Sequence, residues 1–201
     1  MNRQENKIYV STSIIPDSLE IKSVYPVERD SEIERCSNAR VKKEKFFVWE
    51  LLRGTVEEKL GIPFESLKIE KSPSGKWKAD RICFSISHSD GAVAVAVGYE
   101  NLGIDIESVK RHREGIEKQI LTADEQEYLS SVPSDEKIRR VIEFWTKKEA
   151  YFKLLDKKSF VPQKIETLSI ESVTRRVILD NKEFLLSICS EDISKKEIIY
   201  N

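Results

Sequence analysis

The chain is poor in the residues that staple or metallate small proteins. Its 201 residues include three cysteines, Cys36, Cys83 and Cys189, far apart and with no Cys-x-x-Cys pair. That argues against a disulfide framework and structural zinc, and for a reducing compartment, the cytoplasm. Histidine occurs only at His88 and His112. Long apolar runs are missing: the longest is Ala92–Val97, against the ~20 residues a membrane helix needs. The opening Met1–Lys7 leads into no apolar region, so no signal peptide is expected. Neither sign of charge is in excess, with 34 basic and 35 acidic side chains and a formal net charge of −1. Such a chain has no global field for nucleic acid, and any polyanion must be gripped locally. With 39% hydrophobic and 34% charged residues, it fits a soluble globular protein of one domain or two small lobes.

Two stretches place carboxylates where a soluble domain does not ordinarily want them. In Gly103-Ile104-Asp105-Ile106-Glu107 the alternation is that of a strand. Leu102, Ile104 and Ile106 share one face; Asp105 and Glu107 share the other, roughly 6.5–7 Å apart. Like charges that close repel unless something positive sits between them, and two oxygen ligands on a rigid strand suit Mg²⁺. Taken alone, Asp-x-Glu is a common pattern and favours an edge strand with a solvated polar face. The second stretch, Phe144 to Lys153, lies in a helical pattern from Ser134 to Leu155. Its expected apolar stripe is Ile138, Val141/Ile142, Trp145, Phe152 and Leu155, and Glu149 falls on that line. A carboxylate on a core-facing stripe costs several kcal/mol unless it is neutralised, and a cation shared with Asp105 and Glu107 would do so. Lys153, at i+4, is placed to pair with Glu149 or with a phosphate; the alternative is a surface Glu–Lys pair on a helix whose buried face is phased differently.

The rest of the chain frames these stretches. Residues 8–12 read as an opening strand. From Ser31 to Gly61 the spacing is helical, with Val41, Val48, Leu52 and Val56 in a stripe and Gly61-Ile62-Pro63 as the stop. Lys45 lies on that stripe, either snorkelling past the core edge or reaching a phosphate. Residues 67–70 form a short strand, and Lys71, Lys76 and Lys78 give the following turn a basic face. Residues 84–89 form a strand that turns at Asp90-Gly91 into a second, Ala92–Tyr99. That strand is apolar on both faces, hence central, with a helix expected on its alanine side. Ser87 and His88 sit near one rim of the sheet. As neighbours on a strand they face opposite ways, which disfavours a serine–histidine catalytic pair. Lys110, Arg111, His112 and Arg113 make a basic loop, and Thr122-Ala123-Asp124-Glu125 a capping box. Residues 165–170, 176–179 and 184–188 read as three antiparallel strands, with a turn at Asp180-Asn181-Lys182. The fold class is α+β, with a boundary near Tyr99–Leu102 that divides the chain into 1–100 and 101–201.

Three blocks together, residues 84–89, 103–107 and 144–153, resemble in order and spacing the signature blocks of the 4′-phosphopantetheinyl transferases. The likeness is closest to the monomeric, surfactin-synthetase-activating branch, and Leu121–Glu125 resembles the segment between the last two blocks. The resemblance covers roughly residues 40–190. It implies an α+β pseudo-dimer of two similar lobes, antiparallel sheets packed with helices, and coenzyme A in the cleft between them. It implies Mg²⁺ or Mn²⁺ at Asp105, Glu107 and Glu149, with Glu149 also activating the attacking hydroxyl. Lys153 would stabilise or protonate the leaving phosphate, while Ser87, His88, Lys76 and Lys45 (or Lys43) would contact coenzyme A. Trp77 stands where the family's Gly-Lys-Pro turn has proline. The activity implied is transfer of the phosphopantetheine arm of coenzyme A to a serine of an apo acyl or peptidyl carrier protein, releasing 3′,5′-ADP. Fatty-acid, polyketide and nonribosomal-peptide pathways all remain open. The rivals are a metal-dependent phosphodiesterase or nuclease, whose DNA would face Lys110–Arg113, and a non-enzymatic carrier-binding module. Balanced charge weighs against the first. Retention of every ligand carboxylate weighs against the second.

Overall fold

The computed structural model describes residues 6–110 and 115–201; Arg111, His112 and Arg113 of the basic loop lie outside them. The first half opens with strand β1 (Lys7–Ile14), short helix α1 (Val27–Glu34) and long helix α2 (Ala39–Leu60). The single helical stretch expected from Ser31 is thus two helices. Asn38 restarts the chain, its side chain accepting the Val41 N–H as an N-cap, and Gly61 ends α2 at φ 66°. A small hairpin follows, β2 (Ile69–Lys71) and β3 (Trp77–Ala79), then β4 (Cys83–Ser89) and β5 (Ala92–Gly98) joined through Asp90 and Gly91, both at positive φ.

The second half repeats the plan. It holds strand β6 (Leu102–Ser108), helices α3 (Glu117–Ile120), α4 (Ala123–Ser130) and α5 (Lys137–Leu155), then the hairpin β7 (Val173–Leu179) and β8 (Lys182–Ser190). Its sheet runs β6-β8-β7, and the first runs β4-β5-β1 with the last strand, β9 (Glu197–Tyr200), added beside β1. In each half the first strand pairs antiparallel with the second strand of the hairpin, and one long helix packs on the sheet. Strand β9 returns from the second half to pair in parallel with β1.

Three expectations need correcting. The helix lies on the valine side of β5, not the alanine side. Val93, Val95 and Val97 pack against Val48, Trp49, Leu52 and Val56 of α2. The alanines face the other sheet, sharing a core with Ile104, Ile106, Phe184, Leu186 and Ile188; small side chains let the two sheets approach closely. Residues 165–170 form no strand, because the Ile165 carbonyl and the Thr167 N–H are engaged by side chains instead. The stripe expected on α5 is also out of phase: the buried positions are Val141, Phe144, Thr146, Lys148, Ala150 and Leu154. Trp145, Glu149 and Phe152 are only partly buried. They form a wall, with Trp145 edge-on to Phe160 and Phe152 tilted against the same ring.

The sheets also meet at their edges. Ser85, Ser87 and Ser89 lie on the same face of β4 and point at the free edge of β6. Ser85 Oγ accepts the Ile104 N–H (3.1 Å) and Ser87 Oγ the Ile106 N–H (3.4 Å). Helix α5 covers the opposite face of β6, so close that a Cβ on Gly103 would stand 1.9 Å from the Ala150 carbonyl oxygen. The glycine in this strand is therefore a packing requirement, and it brings Asp105 and Glu107 within reach of Glu149 and Lys153.

Candidate active site

Where β4, β6, α2, α5 and the β2–β3 turn converge lies a cleft of about 500 Å³. Asp105, Glu107, Glu149, Lys153, Lys45, Lys76, Ser87 and His88 all line it. Residues from both sequence blocks, and from stretches a hundred positions apart, meet there because α5 lies flat on β6 and the serines of β4 close the other side.

The acidic wall is desolvated. Asp105 is 4% exposed. Its Oδ1 accepts from Ser87 Oγ (2.6 Å) and from Lys153 Nζ (2.8 Å), and its Oδ2 is buried with no hydrogen-bond partner among the described residues. Lys153 also donates to the Ile104 carbonyl (3.0 Å). Burial raises the Glu107 carboxyl; Asp105 adds to the rise, while hydrogen bonds from Ser89 and Trp145 oppose it. Burial likewise pushes Glu149 up to about 7, helped by Asp105 and Glu107 and opposed by Lys153. Among the described residues no three acidic, histidine or cysteine side chains are already drawn into a metal-holding group; the Lys153 ammonium is the cation on Asp105. The donor set nevertheless fits a hard divalent ion. It offers one buried carboxylate oxygen without a partner and two carboxyls whose negative charge the site at present disfavours.

The opposite end is basic. Glu32 gathers Arg29 (3.3 Å), Lys45 (2.9 Å) and Lys71 (2.8 Å). Burial pulls its carboxyl upward, but bonds from Lys71 and Lys45 and the charge of Arg29 outweigh it and hold the pKa at about 2. One carboxylate among three cations leaves an anion-seeking surplus. Lys45 therefore faces the cleft through a carboxylate rather than snorkelling past the core edge. His88, on the α2 side of β4, meets Glu44 Oε2 through Nδ1 (3.1 Å), which turns Nε2 away from that carboxylate. Burial, against the pull of Glu44, holds the imidazole below its ordinary value. Ser87 and His88 thus have separate partners on opposite faces and form no catalytic pair. Lys76 donates to Asn101 Oδ1 (2.9 Å) and to the Leu102 carbonyl (3.0 Å).

Sequence reasoning passed over Arg29, Glu32 and Asp156, which also line the cleft. It also passed over the pair behind α5. Lys148 and Glu125, each 0% exposed, are 2.7 Å apart. Lys148 donates further to the carbonyls of Pro162 and Ile165, and Glu125 accepts from Thr122 and Thr167. The capping box on Glu125 was visible; its second duty was not, because a lysine gives no sign in sequence that it will be fully buried.

The chain is thus α+β with two topologically matching sheets, and one cleft collects both carboxylates and cations. Residues 101–199 match the 4′-phosphopantetheinyl transferase superfamily. It is 34% identical over 113 residues to the 4′-phosphopantetheinyl transferase gsp of Aneurinibacillus migulanus, covering 56% of this chain and 48% of that protein. The transferase psf-1 of Bacillus pumilus is 33% identical over 110 residues, covering 53% of this chain and 47% of that protein. HetI of a Nostoc strain is 30% identical over 112 residues, covering 51% and 47%. The chain spans about half the length of the curated relatives it matches.

Proposed function

We propose that this chain is a 4′-phosphopantetheinyl transferase, moving the phosphopantetheine arm of coenzyme A onto a serine of an apo carrier protein and releasing 3′,5′-ADP. The observation that carries the proposal is the single cleft that gathers the acidic trio, Lys153 and the basic cluster around Glu32. The named activities of gsp, psf-1 and HetI support it.

In this reading the nucleotide end of coenzyme A lies toward Lys45, Lys76, His88 and Arg29, and its diphosphate toward Asp105. Mg²⁺ held by Asp105, Glu107 and Glu149 would supply charge neutralisation at that diphosphate. Glu149, in the same cleft, would take the proton of the incoming serine hydroxyl. The serine oxygen then bonds to the pantetheine-bearing phosphorus as the bond to the 3′,5′-ADP oxygen breaks. Lys153 moves from Asp105 to donate to that departing phosphate. Little covalent chemistry is asked of the protein; positioning and charge do most of the work. The matching strand orders support a division into lobes 1–100 and 101–201 related as a pseudo-dimer, with β9 bridging them. The same reading takes the protein as a monomer in the cytoplasm, as the resemblance implies; its three cysteines are free, and no helix of the described residues is long and apolar enough to cross a membrane.

The test is incubation with coenzyme A, Mg²⁺ and a panel of apo acyl and peptidyl carrier proteins, read by mass spectrometry. A carrier gaining one phosphopantetheine, with 3′,5′-ADP formed in equal amount, is the expected result. An unmodified panel overturns the proposal.

A further inference from the structure

We propose that Asp156 is a positioning residue that latches the β2–β3 turn across the cleft and so sets the affinity for the nucleotide co-substrate. The inference rests on the functional reading above for the identity of that co-substrate. The latch itself is a matter of geometry.

Asp156 is the residue just past α5, at φ 51° and ψ 41°. This left-handed position is where a helix ordinarily stops on glycine, because a Cβ is strained there. The carboxylate reaches back over the cleft into the other half of the molecule. Its Oδ1 accepts from Ser72 Oγ (3.0 Å) and from Ser74 Oγ, and its Oδ2 meets Lys78 Nζ at 2.5 Å. The turn it holds is closed by its own backbone, Ser72 N–H to the Lys76 carbonyl and Gly75 N–H to the Ser72 carbonyl. Ser74, Gly75, Lys76 and Asp156 all line the cleft. A second tie lies beside the first. Lys76 Nζ donates to Asn101, and Asn101 Nδ2 donates to the Leu154 carbonyl in the last turn of α5. The end of α5 therefore grips both the serines and the lysine of the turn. Glu149 and Lys153 ride on the same helix, so the turn and the proposed chemical groups are held in one frame.

Glycine at 156 relieves the backbone strain while deleting the carboxylate, so Asp156→Gly separates a latch from a merely structural cap. We expect this variant to keep its denaturation midpoint and a kcat within about twofold of the parent. Its KM for coenzyme A should rise about tenfold, the worth of one lost charge-assisted hydrogen bond. Amide exchange at Gly75 and Lys76 in the ligand-free protein should quicken by about the same factor. Asp156→Asn retains an acceptor for the serines but loses the Lys78 ion pair, and should fall between. In a cycle with Ser72→Ala/Ser74→Ala, the effects on KM should be non-additive. Unchanged KM, unchanged exchange at Gly75 and Lys76, or additive effects would each overturn the latch. If the parent protein does not use coenzyme A, the functional reading falls, while exchange at the two amides still decides whether the latch exists.

Discussion

Glu149 and Lys153 stand one helical turn apart, yet the cleft assigns them opposite electrostatic situations. Lys153 is committed to Asp105 and the Ile104 carbonyl, whereas Glu149 is raised mainly by desolvation, its attraction to Lys153 set against the charges of Asp105 and Glu107. If Lys153 serves the departing phosphate, Lys153→Ala will lower kcat by roughly 100-fold while raising the coenzyme A KM far less; steady-state kinetics at saturating carrier measures this, and a change in KM alone would make it only a binding residue. Glu149 also gives the metal-free protein a pH signature. Its folded value of about 7 lies above the ordinary 4.5, so the folded state keeps a proton that the unfolded chain has released. Stability tied to this group is complete below the ordinary value and declines as pH rises through about 7. Urea midpoints taken in chelator from about pH 5 to 8 should therefore fall, and Glu149→Gln, which cannot ionise, should flatten the curve.

At the scale of elements, two contacts fix how α5 sits. Gly103→Ala would drive a methyl group into the Ala150 carbonyl at 1.9 Å and the Leu154 nitrogen at 2.7 Å. Both are backbone atoms that cannot swing aside, so helix and strand must separate. A loss of about 3 kcal/mol or more is expected by chemical denaturation, with activity falling even in whatever fraction stays folded. Behind the helix, Lys148→Met would leave Glu125 buried without its counter-charge, and breaking such a pair costs roughly 3–5 kcal/mol. The same denaturation series measures that loss.

These elements also mark what the sequence disclosed. The alternation of residues 102–107 was enough to nominate Asp105 and Glu107, because a strand period is a local property; Glu149 was reached through a core-facing stripe that α5 does not present, and Lys153 through its spacing from Glu149. The phase of α5 was not legible, since the helix covers a sheet on one side and walls a cleft on another, so its apolar residues do not form one stripe. Residues 165–170 alternate like a strand, yet Lys148 and Glu125 claim their backbone groups. The basic cluster around Glu32 needs α1, α2 and β2 folded together before it exists.

For the molecule as a whole, the halves are tied by β9 against β1, by the shared core of alanines and large aliphatics, and by the latch at Asp156. They should unfold together. Trp49 and Trp77 report on the first core and Trp145 on the wall of α5. Tryptophan fluorescence and far-ultraviolet circular dichroism are therefore expected to trace one coincident transition; separated midpoints would show that the halves melt independently.

The serines of β4 have one more consequence. A bare strand margin is an invitation to any passing extended segment. On β6 that margin is closed by hydroxyl groups from the same chain, which meet the Ile104 and Ile106 amides as a neighbouring backbone would but without its continuous width. Had β4 zipped directly onto β6, the two sheets would have fused into one. Oxygen atoms on short stems keep the seam shut to strangers while the sheets stay separate.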